Sequence, residues 1–214
     1  FSFNSISLIL KKNFFLGKKN QKIFVRFDQI ITPNILRDGN WDVEIIKFIT
    51  QVIKKKNYIF IDVGANIGLI SRQLFFKTKI KKFYCIEPEK INFELLSKNL
   101  SIIHKKKLKL FNFALTDTYN KKAKIYLDFK NSGNFSLLET NGKNYNHIIT
   151  KNINSFFKNI NFSKNEKIIY KSDTQGYDEK LIIALDEKYL RRIDIMILEI
   201  SNFNLNNEEI NCLY

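Results

Sequence analysis

Residues 58–68 of the chain read YIFIDVGANIG, and this stretch decides the fold. Residues 58–63 form a nearly continuous apolar run, which is typical of a strand covered on both faces of a parallel sheet. A loop bounded by Gly64 and Gly68 follows at once, and apolar residues then recur at helical spacing as far as Leu74. Strand, glycine loop and helix in this order indicate a nucleotide-binding fold.

The rest of the chain continues this alternation. Further strands are predicted at residues 83–87, 108–113, 166–170 and 193–200. Helical patterns lie between them, at 41–56, after Pro88, at 153–157 and at 178–190, and residues 122–140 predict an inserted hairpin. Strands separated by helices predict a parallel sheet with right-handed crossovers. We therefore expect a doubly wound α/β fold with helices on both faces and with the strand at 58–63 in its centre. A short strand at 22–27 should lie outside that fold.

The reactive side chains do not indicate a metal site. Cys85 and Cys212 form no disulfide framework, and Cys85 lies in an apolar strand where a buried thiol is expected. His104 and His147 are far apart and have no ligand spacing around them. No stretch approaches the roughly 20 apolar residues that span a bilayer. The sequence predicts no membrane span, no metal ligands and a cytoplasmic location.

A net charge of +15 raises the question of a nucleic-acid partner. The lysines, however, are spread in short runs such as 54–56, 81–82 and 105–107, which are typical of solvated helix ends and loops. Lysine, asparagine, isoleucine and phenylalanine are all abundant, and they share A/T-rich codons. We interpret the charge as a solvated surface and not as a nucleic-acid footprint. Salt-dependent binding distinguishes the two readings.

The details of the loop select among adenosine-containing cofactors. Glu87 ends the next strand, 23 residues after Gly64, where a carboxylate can accept hydrogen bonds from ribose hydroxyls. Asn66 replaces the second glycine of the dinucleotide pattern, and Asp62 precedes the loop. A negative charge there disfavours a pyrophosphate and suits a ligand with an ammonium and a sulfonium group. The alternative is a glycine turn that only packs a helix.

Four segments together resemble the FkbM family of S-adenosylmethionine-dependent O-methyltransferases. FIDVGANIG at 60–68 is similar to the family's cofactor motif DVGANxG, and IEP at 86–88 to its second-strand acid. NFALTD at 112–117 resembles its N-x-A-L segment, and KSDTQGYD at 171–178 its KIDVQGYE signature. The resemblance covers residues 39–200 and implies a Rossmann-like methyltransferase with S-adenosylmethionine as cofactor.

The chain departs from the family pattern at a few positions. Ser172 and Thr174 replace apolar residues, Asp178 replaces glutamate, and Asn154 stands where the family often has aspartate. Class I methyltransferases end in an antiparallel strand pair, for which only residues 202–214 remain, so a fragment lacking the final strands is expected.

The resemblance implies two regions. Residues 1–40 are an N-terminal extension, and residues 41–214 are the methyltransferase domain, with its core at 58–200.

By the same resemblance, the cofactor-binding residues lie at three strand ends. The loop of Gly64, Ala65, Asn66 and Gly68, with Asp62 nearby, would hold the methionine part of the cofactor. Glu87 would bind the ribose. Ala114 and Leu115 would lie against the adenine, with ordinary strand-end packing as the alternative.

The catalytic candidates are Asp173 and Lys171. Asp173 would act as general base on a hydroxyl or orient the sulfonium, or it would form a Mg²⁺ site with Glu199. Lys171 would stabilise an alkoxide, unless it is a solvent-facing lysine. The expected acceptor is a hydroxyl of a sugar, a glycan or a small metabolite. An RNA methyltransferase and a non-catalytic cofactor-binding module are the alternatives.

Overall fold

The computed structural model describes residues 14–16, 22–26, 28–38, 41–53, 57–119, 121–128, 130–139, 144–163 and 165–200. The strands in these ranges are β1 (Phe14–Leu16), β2 (Ile23–Val25), β3 (Asn57–Val63), β4 (Lys82–Ile86), β5 (Leu108–Phe111), β6 (Ala114–Thr116), β7 (Lys122–Tyr126), β8 (Tyr145–Asn152), β9 (Glu166–Ser172) and β10 (Ile193–Leu198). The helices there are α1 (Ile31–Asp38), α2 (Val43–Val52), α3 (Leu69–Lys77), α4 (Lys90–Asn99), α5 (Ile153–Asn159), α6 (Asp178–Ala184) and α7 (Glu187–Leu190). Cys212 and the predicted loss of the final strands concern residues that lie outside the described ranges.

Five strands form a sheet in the order β10-β9-β3-β4-β5, in which every neighbouring pair is parallel. In this order the chain moves outward from the central strand β3 in both directions, so the predicted doubly wound fold is confirmed. The topological switch point lies between β3 and β9. The carboxyl ends of these two strands are therefore where a ligand crevice is expected.

Both faces of the sheet are covered by helices, as predicted. On one face, Ile59 and Ile61 pack against α5 and α6 through residues such as Phe156 and Leu181. On the other face, Phe60 packs against α2, α3 and α4. Full burial of a large apolar side chain contributes about 1.5–3 kcal/mol. This double cover explains why residues 58–63 are apolar at nearly every position.

The inserted region differs from the predicted hairpin. Among the described residues of 122–140, pairing is limited to one antiparallel bridge between Tyr126 and Ser136. β7 instead pairs along its whole length with β8, and β8 pairs in parallel with β6. The prediction was wrong because β8 alternates buried and exposed residues only from Ile148 onward, and its first three residues, Tyr145, Asn146 and His147, are all exposed. A weakly patterned strand of this kind gives little signal in sequence.

The predicted helix at 178–190 is two helices, and Asn154 explains the break. Leu185 has an extended backbone conformation and ends α6. The Asn154 amide donates to the carbonyl of Ala184 at 2.8 Å and accepts from the N–H of Asp186 at 2.8 Å. One side chain thus satisfies a helix C-terminus and the start of the next helix. A carboxylate at this position cannot make the first of these bonds.

The N-terminal strand β2 lies outside the five-stranded sheet and pairs with β1, as predicted for residues 22–27. It is nevertheless attached to the nucleotide-binding loop. The buried side chain of Asn99 in α4 accepts from the N–H of Phe24 at 2.6 Å and donates to the carbonyl of Ile67 at 2.8 Å. No helix in the described part of the chain combines the length and the apolar character that crossing a bilayer requires.

Candidate active site

Gly64 connects the carboxyl end of β3 to the loop and allows β9 to approach it. Its φ is +70°, in the left-handed region that glycine adopts at no steric cost. A Cβ at this position would lie 1.9 Å from the backbone oxygen of Asp173. The N–H of Asp173 also donates to the carbonyl of Val63 at 3.1 Å. The two strand ends are therefore closer together than any side chain at position 64 permits.

Gly68 serves helix packing. It stands immediately before α3 with φ at +83°, and a Cβ there would lie 2.6 Å from Cδ1 of Leu96 and 3.1 Å from Cγ of Leu100. Leu96 in α4 and Leu100 directly after it share a core cluster with Ile70 and Leu74 of α3. Gly68 is not among the residues that line the cavity described below.

Glu87 follows β4 directly and is buried at the switch-point edge. Its Oε2 accepts from the N–H of Asn66 at 2.9 Å, and its Oε1 accepts from the N–H of Glu89 at 2.9 Å. The amide of Asn112 donates to the carbonyls of Glu87 and Pro88 at 2.9 and 3.1 Å, which fixes the turn that carries the acid. Burial raises the pKa of Glu87 to about 8, although the two backbone donors favour the carboxylate.

Asn66 presents an unused acceptor in the loop. Its φ is +50°, a left-handed conformation that asparagine tolerates better than most residues. Its Oδ1 is buried, and none of the described residues donates a hydrogen bond to it. A buried unsatisfied acceptor costs about 1–3 kcal/mol. A ligand donor such as an ammonium group would satisfy it.

Lys171 is buried in β9, so the alternative of a solvent-facing lysine is wrong. Its Nζ lies 3.4 Å from Oδ1 of Asp62 and 3.6 Å from Oδ2 of Asp173, and it donates to the carbonyl of Gly64 at 3.1 Å. Burial alone would lower the pKa of Lys171, but the carboxylates of Asp62 and Asp173 outweigh it and raise that pKa. The ammonium therefore stays charged and fixes the ends of β3 and β9.

Asp62 lies behind the loop. Its carboxylate is buried, accepts from the hydroxyl of Ser71 at 2.6 Å and faces the ammonium of Lys171. It is not among the residues that line the cavity. The charge of Asp62 thus acts through Lys171 and the loop, whereas the sequence suggested a position beside the ligand.

Asp173 and Glu199 form a carboxyl pair at the ends of β9 and β10. The amide of Gln175 donates to Oδ1 of Asp173 at 2.8 Å and to Oε2 of Glu199 at 2.7 Å. Burial, a hydrogen bond to Asp173 and the charge of Asp173 raise the pKa of Glu199 to about 7. Burial would also raise the pKa of Asp173, but Lys171 and the hydrogen bonds from Glu199 and Gln175 hold it below its usual value.

These groups surround one cavity at the carboxyl edge of the sheet. Eight of the ten residues predicted for the site line it, namely Gly64, Ala65, Asn66, Glu87, Ala114, Leu115, Lys171 and Asp173. The two others are Asp62 and Gly68, described above. Apolar side chains of Ile125 and Phe135 continue the wall beside Ala114 and Leu115. The cavity therefore has an apolar end and an end rich in carboxyl groups.

The outer wall of the cavity was not predicted. Ile31, from the expected N-terminal extension, and Asp42 line it together with the loop of Asn131, Ser132 and Gly133. Their sequence signal is weak because the contacts join segments about a hundred residues apart. Only the positive φ of Asp42 is unusual, and a φ value cannot be read from a sequence.

Hydrogen bonds hold this wall in place. The hydroxyl of Ser132 donates to the carboxylate of Asp28, and the N–H of Gln29 donates to the carbonyl of Lys130 at 2.9 Å. The amide of Asn92 in α4 donates to the carbonyl of Ser132 at 3.0 Å. The N-terminal segment and the loop therefore close one side of the cavity as a unit.

A doubly wound sheet with a glycine loop and a buried acid at adjacent strand ends defines a nucleotide-cofactor-binding α/β protein. The chain belongs to the methyltransferase FkbM family, because the family model described as methyltransferase FkbM domain matches residues 62–211. The predicted family, the enzyme class and S-adenosylmethionine as its cofactor are thereby confirmed.

Several solved methyltransferases are similar in structure. A methyltransferase FkbM from Methylobacillus flagellatus KT shares 14% identity over 68% of this chain and 33% of its own, with a TM-score of 0.42. A precorrin-6y C5,15-methyltransferase from Geobacter metallireducens GS-15 shares 11% over 79% and 69%, with a TM-score of 0.44. TYW2 from P. horikoshii, in complex with MeSAdo, shares 16% over 48% and 36%, with a TM-score of 0.35.

This chain spans only part of such proteins. It covers 36%, 54% and 52% of the length of three solved structures, which are TYW2 from P. horikoshii, a putative RNA methyltransferase from Pyrococcus horikoshii and TYW2 from M. jannaschii. No curated protein matches the chain in sequence.

The residues of the cavity fit S-adenosylmethionine. The unsatisfied Oδ1 of Asn66 suits its ammonium group, and the carboxylate of Asp173, whose pKa is held below its usual value, suits a ligand of positive charge. Within the described ranges, histidine, cysteine, aspartate and glutamate form no group of three or more that could hold a metal ion.

Proposed function

We propose that this chain transfers the methyl group of S-adenosylmethionine to a hydroxyl group of a sugar, a glycan or a small metabolite. When bound, the cofactor supplies an activated methyl group on a sulfonium ion. Transfer to a hydroxyl forms a methyl ether and S-adenosylhomocysteine and releases one proton. The protein must therefore provide a binding site of negative potential and a group that accepts this proton.

The cofactor site in this proposal follows the cavity from its apolar end to its acidic end. Ala114 and Leu115 contact the adenine, and Glu87 accepts hydrogen bonds from the ribose hydroxyls. Gly64, Ala65 and Asn66 hold the methionine part, with Oδ1 of Asn66 accepting from the ammonium. Asp62 and Gly68 support the loop from behind without touching the ligand.

The proposed base is Asp173, and this carboxyl group is the observation that carries the proposal. It lines the cavity, and its two oxygens are oriented by Gln175 and Lys171. The Gln175 amide links it to Glu199, and a raised pKa of about 7 for Glu199 lets the two carboxyl groups take up a proton near neutral pH. Lys171 acts as a positioning residue because its ammonium contacts Asp62, Asp173 and the Gly64 carbonyl.

Methyl-labelled S-adenosylmethionine tests the acceptor class. The protein is incubated with the labelled cofactor and with three separate pools, which contain saccharides, small hydroxylated metabolites and total RNA. We expect label in the saccharide or metabolite pool, in a form stable to alkali as an ether is. Absence of label from all three pools, with cofactor binding intact, would leave a non-catalytic cofactor-binding module.

RNA is the second candidate acceptor, and the net charge of +15 favours it. If label is recovered only in the RNA pool, the acceptor is RNA and the proposal of a sugar, glycan or small-metabolite acceptor is wrong. Digestion to nucleosides then separates base methylation from ribose methylation. The Asp173–Glu199 pair is suited to a ribose hydroxyl in the same way as to any other sugar hydroxyl.

A further inference from the structure

The side sheet carries an outward surface that the proposed function does not use. Six residues of β7 and β8 lie opposite one another in three cross-strand pairs, Lys122 with Ile149, Lys124 with His147 and Tyr126 with Tyr145. Residues directly opposite each other on antiparallel strands project from the same face of a sheet. We call these six residues the β7–β8 outer face.

Five of these six residues are exposed and Tyr126 is half-buried, whereas Ile125 and Ile148 on the other face of the same strands are buried. Tyr145 is 42% exposed and Ile149 62%, and Lys122, Lys124 and His147 are exposed as well. On the inner side, Ile125 and Ile148 are buried against Phe135. The inner side also forms part of the cavity wall through Ile125. The outer face is therefore separate from the cofactor cavity.

Its aromatic rings form a contiguous cluster, in which the Tyr126 and Tyr145 rings are tilted by 59° and the Tyr145 and His147 rings by 86°. The ring centroids of Tyr126 and Tyr145 are 6.1 Å apart, and those of Tyr145 and His147 are 5.5 Å apart. The Nζ of Lys124 lies 4.1 Å from the Tyr145 centroid, so that a positive charge is held over this ring. The two strands read KAKIY and YNHIITKN and contain no acidic residue.

We propose that the β7–β8 outer face binds single-stranded nucleic acid. Lys122 and Lys124 would pair with phosphates, and the rings of Tyr145 and Tyr126 would stack on unpaired bases. Exposed aromatic side chains on a sheet, flanked by cations, are a recurrent platform for single strands because every base has a π-face. A surface of cations alone would suit any polyanion, and the rings are what favour nucleic acid. The proposal goes beyond the methyl-transfer function and does not depend on it.

Fluorescence anisotropy with labelled 12-nucleotide oligo(U) and oligo(dT) tests this binding at several salt concentrations. The first variant is K122E/K124E, and its matched control is K105E/K106E in the turn before β5. Lys105 and Lys106 are also exposed, and each variant loses four charges, from +15 to +11. Tyr145→Ala removes the central ring, and Tyr145→Phe keeps it. Thermal melting verifies that all four variants are folded.

We expect the parent protein to bind both oligonucleotides and to bind duplex of equal length less well. K122E/K124E should lower the affinity at least tenfold and reduce the salt slope by about 1.4, since each lost phosphate contact contributes about 0.7 for single strands. Tyr145→Ala should lower it about 5- to 100-fold, and Tyr145→Phe should retain it. K105E/K106E should change it by much less than K122E/K124E.

Three results would overturn the proposal. The first is equal loss of affinity in K122E/K124E and K105E/K106E, which would mean that only the overall charge matters. The second is full affinity in Tyr145→Ala. The third is absence of oligonucleotide binding at about 50 mM salt.

Sedimentation with vesicles containing phosphatidylserine is run in parallel. Vesicle binding that depends on Lys122 and Lys124, without oligonucleotide binding, would assign the face to a membrane surface.

Discussion

At the scale of single residues, Gly64 is a position where the structure leaves no room for a side chain. Any Cβ there meets the Asp173 backbone oxygen at 1.9 Å, and the left-handed φ adds backbone strain. We expect Gly64→Ala to lower the free energy of unfolding by about 3 kcal/mol or more, measured by urea denaturation.

Gly133→Ala is the matched control for that measurement. A Cβ at Gly133 meets its nearest atom, Oδ1 of Asn131, at 3.2 Å, and this contact is with a side chain that can move. We expect a loss of about 1 kcal/mol or less. Equal effects of the two substitutions would contradict the close approach of β3 and β9.

Asp173 is the residue on which the proposed chemistry depends. Under Asp173→Asn, turnover should fall about 10²–10⁴-fold while the affinity for S-adenosylmethionine changes little, because the amide cannot accept the proton. Steady-state kinetics with the acceptor and calorimetry with the cofactor separate these effects. Weakened cofactor binding with unchanged turnover at saturation would make Asp173 a cofactor ligand. If turnover and cofactor affinity are both unchanged in Asp173→Asn, the role of Asp173 is structural.

The carboxyl pair predicts how the rate depends on pH. Glu199 has a raised pKa of about 7, so the two carboxyl groups together lose one proton as the pH rises through that value. Turnover should increase with pH up to about 7 and then level off. In Glu199→Gln the remaining base is Asp173, whose pKa lies below its usual value, and the rise should move to lower pH. A profile that is the same in both proteins would exclude the pair as the proton acceptor.

At the scale of elements, the junction of α6 and α7 depends on Asn154. Asn154→Asp keeps the acceptor for Asp186 but replaces the donor to Ala184 by an oxygen, which repels that carbonyl. We expect a loss of about 1–3 kcal/mol in unfolding free energy at pH 7. Asn159→Asp is the control, since its amide donates to the Ser155 carbonyl at an exposed position. A loss in Asn159→Asp as large as that in Asn154→Asp would refute this role.

The elements that sequence predicts well are those with strong local patterns. The buried strand β3 and the loop after it combine an apolar run with glycines at fixed spacing, and Glu87 follows at the next strand end. β8 was missed because its first three residues are all exposed and show no apolar alternation. The break after Ala184 was missed because it depends on Asn154, thirty residues earlier in the chain. Local patterns cannot encode such tertiary contacts.

The candidate site shows the same limit. Its inner residues, such as Gly64, Glu87 and Asp173, stand at strand ends that motifs identify. Its outer wall depends on contacts such as Ser132 with Asp28, which are 104 residues apart and belong to no motif. The resemblance to the FkbM family begins at residue 39. It therefore could not indicate that Ile31 lines the cavity.

At the scale of the whole molecule, the charge of the cavity is opposite to that of the chain. The net charge is +15, yet carboxyl groups of Asp42, Asp173 and Glu199 line the cavity beside Lys171, and Glu87 adds a negative charge above its pKa of about 8. A cation is therefore favoured inside a protein whose surface favours anions. The two proposed sites would therefore take ligands of opposite charge, the cofactor in the cavity and a nucleic acid on the β7–β8 outer face.

The central claim is that this cavity binds S-adenosylmethionine through Glu87. Isothermal titration calorimetry from pH 6 to pH 9 tests it most directly, because the pKa of Glu87 is raised to about 8 and ribose hydroxyls favour its ionised form. The parent protein should bind more tightly as the pH rises towards 8 and then level off. Glu87→Ala should bind more weakly by about 1.5–3 kcal/mol at pH 9 and lose this dependence, apart from any titration of the cofactor itself. Equal affinity of the two proteins across the pH range would contradict the claim.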